Sequence, residues 1–179
     1  MDRVLLVDDE INVLRALQRA LHLHLGTSEI KVEIYERPAD ALLRAEEVPF
    51  AVVMSDYRMP HMDGVAFLKR FKAIQPGALR LILSAQADQG ALIEAINEAQ
   101  IHRFLAKPWN DEELVASIRA ALAAYHAKLE EQHLADQARL DGQHMSRQEY
   151  ELKRLEETEP GITKVKWGPD GEVLIDGEG

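Results

Sequence analysis

Ala51-Val52-Val53-Met54-Ser55-Asp56-Tyr57-Arg58-Met59-Pro60-His61-Met62-Asp63-Gly64 is the stretch that decides how this chain reads. Its four leading apolar residues form a short run of the kind found in a strand covered on both faces. The run stops at Ser55-Asp56. A loop from Tyr57 to Asp63 then leads to Gly64 and a helical pattern of Val65, Phe67, Leu68 and Phe71. In open parallel sheets ligands collect outside the carboxyl ends of the strands, so Asp56 stands where chemistry is expected.

The same grammar recurs on both sides. Val4-Leu5-Leu6-Val7 precedes Asp8-Asp9, and Asp8 to Asn12 opens a helix whose Val13, Leu14, Leu17, Leu21 and Leu25 recur at helical spacing before Gly26. Val32, Ile34 and Tyr35 read as a second strand, and Pro38 to Glu47 as a short helix with proline in its first turn. Pro76-Gly77 ends the third helix. Leu79 to Leu83 is a fourth strand before Ser84, and Leu92, Ile93 and Ile96 mark a fourth helix. Ile101 to Leu105 holds a fifth strand before Lys107-Pro108. Asn110 then caps a fifth helix that begins Asp111-Glu112-Glu113, acidic where a helix dipole favours negative charge. Five strand–helix alternations predict an α/β fold, a five-stranded parallel doubly wound sheet of flavodoxin-like order 2-1-3-4-5. The order reverses between strands 1 and 3, which end at Asp8-Asp9 and Asp56.

The chain of 179 residues is 46% hydrophobic, enough for a packed core, and it has no cysteine, which excludes disulfides and thiolate metal sites. No apolar run reaches membrane-spanning length and no signal peptide is recognised, so a cytoplasmic location is expected. Charge is uneven. Residues 1–109 carry 13 Lys and Arg against 15 Asp and Glu, whereas residues 110–179 carry 8 against 16. An acidic C-terminal half repels a phosphate backbone, so no nucleic-acid partner is expected. The fifth helix keeps one apolar stripe through Leu114, Ile118, Ala121, Leu122, Tyr125 and Leu129, after which charges dominate. A break or kink is expected at Asp141-Gly142, a second helical piece over Ser146–Glu157, and an end at Pro160-Gly161. Ile162–Trp167 and Glu172–Ile175 read as a hairpin. The organisation expected is a domain over 1–125, a charged helical extension over 126–160, and a short hairpin with an acidic tail over 161–179.

Topology brings Asp8, Asp9, Asp56, Ser84 and Lys107 to one end of the sheet. Converging carboxylates repel one another unless a cation lies among them, and a few carboxylates with a backbone carbonyl and waters suit Mg2+. Asp8 and Asp9 are its expected ligands together with Asp56, and the backbone carbonyl of Arg58 is placed to add an oxygen. Asp56 is the expected nucleophile, able to become an aspartyl phosphate. Asp8-Asp9 alone would read as a helix cap; with Asp56 and Lys107 it reads as a site. Lys107 supplies a point charge for a phosphate or for the acids. Ser84 either donates to a phosphoryl oxygen or caps the loop after it. Phe104 either packs in the core or swings as Ser84 moves. Pro108 is a candidate for a cis peptide that aims Lys107. Trp109 either anchors a partner or, the favoured reading, covers the base of the fifth helix. The seven histidines show no pair at i,i+4, so a histidine metal site is not expected.

Together VLLVDDE (4–10), VVMSDYRMPHMDG (52–64), LILSAQ (81–86) and FLAKPW (104–109) resemble the response-regulator receiver domain of two-component signalling, over about residues 2–125. The wording SDYRMPHMDG and HRFLAKPW is similar to receivers joined to HD-type cyclic-di-GMP phosphodiesterases, but that catalytic domain is not expected within residues 126–179, a short stretch without its His-Asp pair. Ser84 stands where the family more often has threonine. The resemblance implies that a sensor histidine kinase or phosphotransfer protein donates a phosphoryl group to Asp56 with Mg2+, and that Ser84 and Phe104 relay the change to the face of helix four, strand five and helix five. It also implies slow self-hydrolysis, a weak autophosphatase activity tuned by Arg58 and Gln86 beside the site, and otherwise no enzyme activity. Output is expected through a protein target or a homodimer built on the helix-five extension. The alternatives are a phosphate shuttle with no output of its own and, disfavoured by the acidic tail, a DNA-binding regulator.

Overall fold

Strands form where apolar residues run without interruption, and helices where they return every three or four positions. The computed structural model of the protein describes the backbone of residues 1–85, 99–158, 166–167 and 173–174, and the side chains of 1–85 and 99–139. Five strands, β1 (Asp2–Val7), β2 (Ile30–Tyr35), β3 (Val52–Asp56), β4 (Leu79–Ala85) and β5 (Arg103–Lys107), pair in parallel in the order β2-β1-β3-β4-β5. The described helices are α1 (Ile11–Leu25), α2 (Pro38–Glu47), α3 (Gly64–Ile74) and α4 (Asp111–Thr158). The fold class and strand order expected from sequence are those observed. The helix predicted around Leu92–Ile96 lies outside the described residues, so the predicted fifth helix is α4 here.

The sheet separates two cores. On one side Leu14, Leu17, Leu21 and Leu25 of α1 and Leu114, Val115, Ile118 and Ala121 of α4 pack on Val4, Leu6, Val52, Met54, Leu81 and Leu83. On the other, Ala41 and Ala45 of α2 and Phe67, Leu68 and Phe71 of α3 pack on Leu5, Val7, Val53 and Ile82. Alternate residues of each strand therefore serve opposite cores, as the pleat requires. Phe71 stacks obliquely on Phe50 and Phe67, with ring centroids 6.4 and 5.9 Å away, in the tilted geometry aromatic pairs favour.

Two expectations are corrected. The fifth strand spans Arg103–Lys107 rather than Ile101–Leu105. Gln100 adopts a left-handed conformation (φ 49°), and ladder pairing starts at Leu81–Arg103 and runs on to Ala85–Lys107. Of the break or kink expected at Asp141-Gly142, the break is not observed: α4 continues through both residues to Thr158. One helical glycine costs about 1 kcal/mol against alanine, too little to end a helix by itself. The end expected at Pro160-Gly161 lies outside the described residues. Lys166–Trp167 (β6) and Val173–Leu174 (β7) pair antiparallel. The chain divides into two compact units, Met1–Leu129 and Glu130–Gly179. Among the described residues no helix is long and apolar enough to cross a membrane.

Candidate functional site

The register of the sheet assembles the site. Val7 pairs with Ser55, Asp56 with Leu83, and Ala85 with Lys107, so Asp8, Asp56, Ser84 and Lys107 emerge at one end of four neighbouring strands. Asp8 and Asp56 are buried, at 1% and 7% exposure, while Asp9 is exposed. The Lys107 ammonium bridges the two buried acids, 2.7 Å from Asp8 Oδ2 and 2.9 Å from Asp56 Oδ1. One carboxylate oxygen from each of Asp8, Asp9 and Asp56 lies within 4.8 Å of the others. The other oxygen of Asp8 accepts the Glu10 amide at 2.9 Å, a local turn that leads the chain into α1 and fixes the carboxylate.

Burial is the main force raising the Asp56 pKa; Lys107 opposes it and Asp8 adds to it. Burial would lower the Lys107 pKa, but its hydrogen bonds to Asp8 and Asp56 outweigh that and raise it. Three carboxylates against one ammonium leave two negative charges uncompensated within this cluster. The donors are all hard oxygens, without nitrogen or sulfur among them. That charge and donor set fit a divalent magnesium ion.

Each predicted site residue can be placed. Ser84 is buried one position beyond Leu83, the residue opposite Asp56. Phe104 is half-buried against the α2–α3 core and pairs with Ile82. Arg58 lies exposed two residues after Asp56. The Lys107–Pro108 peptide is cis. Trp109 packs at the edge of the α1–α4 core, and its indole N–H donates to Asp111 Oδ1 at 3.1 Å. Gln86 lies outside the described residues. Asn110 Oδ1 accepts the amides of Glu112 and Glu113, capping α4 as expected.

Two contributions were not read from the sequence. Gly64 looked like a turn residue entering a helix, but a Cβ there would lie 2.1 Å from the Asp56 carbonyl oxygen. The first turn of α3 thus rests against the backbone of Asp56. The Ser55 hydroxyl, fully buried, donates to the same carbonyl at 2.9 Å. The glycine directly after the acidic loop was the available signal for the first; nothing in the sequence marked the second.

Residues 4–119 match the response regulator receiver domain family. The chain is 34% identical over 127 residues to the hydrogenase transcriptional regulatory protein HoxA of Bradyrhizobium diazoefficiens, a match spanning 71% of this chain and 25% of that protein. It therefore covers about a quarter of the length of that curated relative. Among solved structures it is similar to the signal receiver domain of an HD domain-containing protein from Pseudomonas fluorescens Pf-5 (TM-score 0.66, 31% identity, covering 72% of this chain and 92% of that one). It is also similar to a structure described as adenylate cyclase from Rhodopirellula baltica (TM-score 0.69, 32% identity, covering 75% and 97%). With the acids at the strand ends and the 2-1-3-4-5 sheet beneath them, these matches show that the chain belongs to the response regulator receiver family of two-component signalling.

Proposed function

We propose that Asp56 is the phosphoacceptor of this receiver and that a sensor histidine kinase or phosphotransfer protein is the donor. A carboxylate oxygen of Asp56 attacks phosphorus, the P–N bond of a phosphohistidine breaks, and the departing imidazole nitrogen keeps the bonding pair and is protonated. Asp8, Asp9, Asp56 and the Arg58 backbone carbonyl would hold Mg2+, which when bound neutralises charge on the phosphoryl oxygens. In-line transfer at phosphorus depends on positioning and charge neutralisation more than on covalent assistance. Lys107 contributes a positive charge from within the pair of buried acids, and Ser84 a hydroxyl for a phosphoryl oxygen. The observation that carries this reading is the single Lys107 ammonium shared by Asp8 and Asp56, residues 48 positions apart in sequence and joined only by the sheet.

Phosphorylation then biases a two-state surface through Ser84 and Phe104, and output passes to a protein target or a second copy through the helical extension. The test is uptake of label from a small acyl phosphate with magnesium. Asp56→Asn is expected to abolish it; label retained at the same position in that variant ends the proposal. Mass in solution with and without beryllofluoride and magnesium reads the output. A change of oligomeric state places output in self-association, and constant mass places it with another protein.

A further inference from the structure

Arg80 is an unusual residue to find in this interior. It sits on β4 four positions before Ser84 and is only 1% exposed, among the largest fully buried side chains. A buried cation must be compensated by polar groups around it. Among the described residues the groups that meet the guanidinium are backbone carbonyls from two separate segments. Nε–H donates to Ala99 O at 2.9 Å and to Gln100 O at 3.4 Å; the Nη1 group donates to Ala78 O at 2.7 Å and to Pro76 O at 3.4 Å. One side chain thus ties the turn before β4 to the turn before β5. Gln100 holds a left-handed conformation that non-glycine residues keep only when their surroundings fix it. The backbone reinforces the tie. The His102 amide donates to Arg80 O at 2.8 Å, and the Arg80 amide donates to His102 Nδ1 at 3.2 Å.

The consequence lies at the other end of β5. This strand is at the edge of the sheet and has β4 as its one neighbour. Among the described residues no second strand sets its register. A slip of one residue exchanges the faces of a whole strand. Here it would bring Ala106 or Pro108 to the position opposite Ala85 that Lys107 holds. The pin for β5 is therefore at its base, where Arg80 grips Ala99 and Gln100, and its load is the ammonium at its top.

We propose that Arg80 is a positioning residue for the phosphoacceptor site: by holding the carbonyls of Ala99 and Gln100 it fixes the register of β5 and so places Lys107 between Asp8 and Asp56. The functional half of this inference rests on Asp56 being the phosphoacceptor, so the test has an arm that needs no phosphoryl group. In the full chain, Arg80→Met, Lys107→Ala and the double variant are compared for label uptake from acetyl phosphate with magnesium. Arg80→Met is expected to cost about tenfold when Lys107 is present and less than about twofold when it is absent, since both losses run through one ammonium. Equal losses in both backgrounds, or no loss in Arg80→Met, overturn the proposal.

The second arm follows the Lys107 ammonium by nitrogen NMR without any phosphodonor, its signal assigned by its absence in Lys107→Ala. Arg80→Met is expected to move it to the position of a solvated lysine; an unmoved signal overturns the proposal. Should the wild-type chain take no label, the phosphoacceptor reading fails alone and the NMR arm still decides this one. Should Arg80→Met not fold, Arg80→Lys replaces it, because one ammonium cannot span both turns. It is expected to shift both readouts in the same direction by less, and wild-type values in both overturn the proposal.

Discussion

Gly64→Ala puts a methyl group against the backbone of Asp56, the proposed phosphoacceptor. The new Cβ would stand 2.1 Å from the Asp56 carbonyl oxygen, 3.0 Å from its carbon and 3.1 Å from Tyr57 Cα. Comfortable non-bonded contact is about 3.5 Å, so the end of β3 or the start of α3 must retreat by roughly an ångström or more. All three neighbours are main-chain atoms, so no rotamer change relieves the contact. The Gly64 amide is also tied to Tyr57 O at 2.8 Å, which resists the obvious escape. Overpacking costs about 1–3 kcal/mol, and a purely backbone clash belongs at the upper end. In a domain of this size that corresponds to a fall in Tm of about 10 °C. A misplacement of that size at the reacting oxygen of Asp56 should also slow phosphorylation by about 100-fold. Thermal unfolding followed by circular dichroism, and label uptake measured well below both transitions, read the two effects. A Tm within about 2 °C of wild type together with uptake within about twofold would refute the steric argument.

Three further outcomes are expected. His102 is largely exposed, but its partial desolvation, then the positive charges of Arg80 and Lys128, lower its pKa, and its Nδ1 accepts the Arg80 amide. The unfolded chain therefore binds a proton more readily at this position than the folded chain does. Stability should fall as pH drops through about 6.5 and level off below the folded value. His102→Asn keeps an acceptor without titrating, so guanidinium unfolding at pH 7.5 and 5.5 should show the wild type losing more than the variant; parallel losses sink the assignment. Asn110→Ala removes the acceptor of the Glu112 and Glu113 amides and should cost about 1 kcal/mol in the same assay, and no measurable loss would mean the cap is replaced by water. Glu33 is held by Arg44, Arg3 and Lys31, which outweigh the effect of burial and lower its pKa. The stability it adds is present above the ordinary carboxylate pKa and is lost as pH falls through the folded value, so Glu33→Gln and wild type should converge in acid unfolding. A gap that persists below pH ~3 would mean that shape, not charge, is what the position supplies.

The strands and the site were legible in the sequence for one reason: buried parallel strands are short apolar runs, and a polar residue at the end of such a run has few places to go. Asp8, Asp56, Ser84 and Lys107 each follow a run of this kind, and the 2-1-3-4-5 order then brings their strand ends together. Features that depend on distance between backbones were not legible. Gly64 reads the same whether its neighbour is water or the Asp56 carbonyl. Arg80 in Leu79-Arg80-Leu81 reads as a polar interruption, not as a buried cation holding two turns. The start of β5 was misplaced because Ile101 is apolar and suits a strand, whereas the left-handed Gln100 and the Arg80 grip delay pairing until Arg103. Asp141-Gly142 has the form of a turn pair, yet the helix formers on either side carry α4 through it.

The sheet that parts the two interiors has a practical corollary. Met59, from the loop after Asp56, packs in one core with Phe67 of α3, while the first turns of α4 are seated among leucines of α1 on the other side of the sheet. Few apolar side chains belong to both neighbourhoods. A chimera that exchanges α4 from Asn110 onward should keep the acceptor chemistry if it preserves the pattern Leu114, Val115, Ile118 and Ala121. The receiver core can thus be regarded as a socket for the first turns of α4, with a four-residue key.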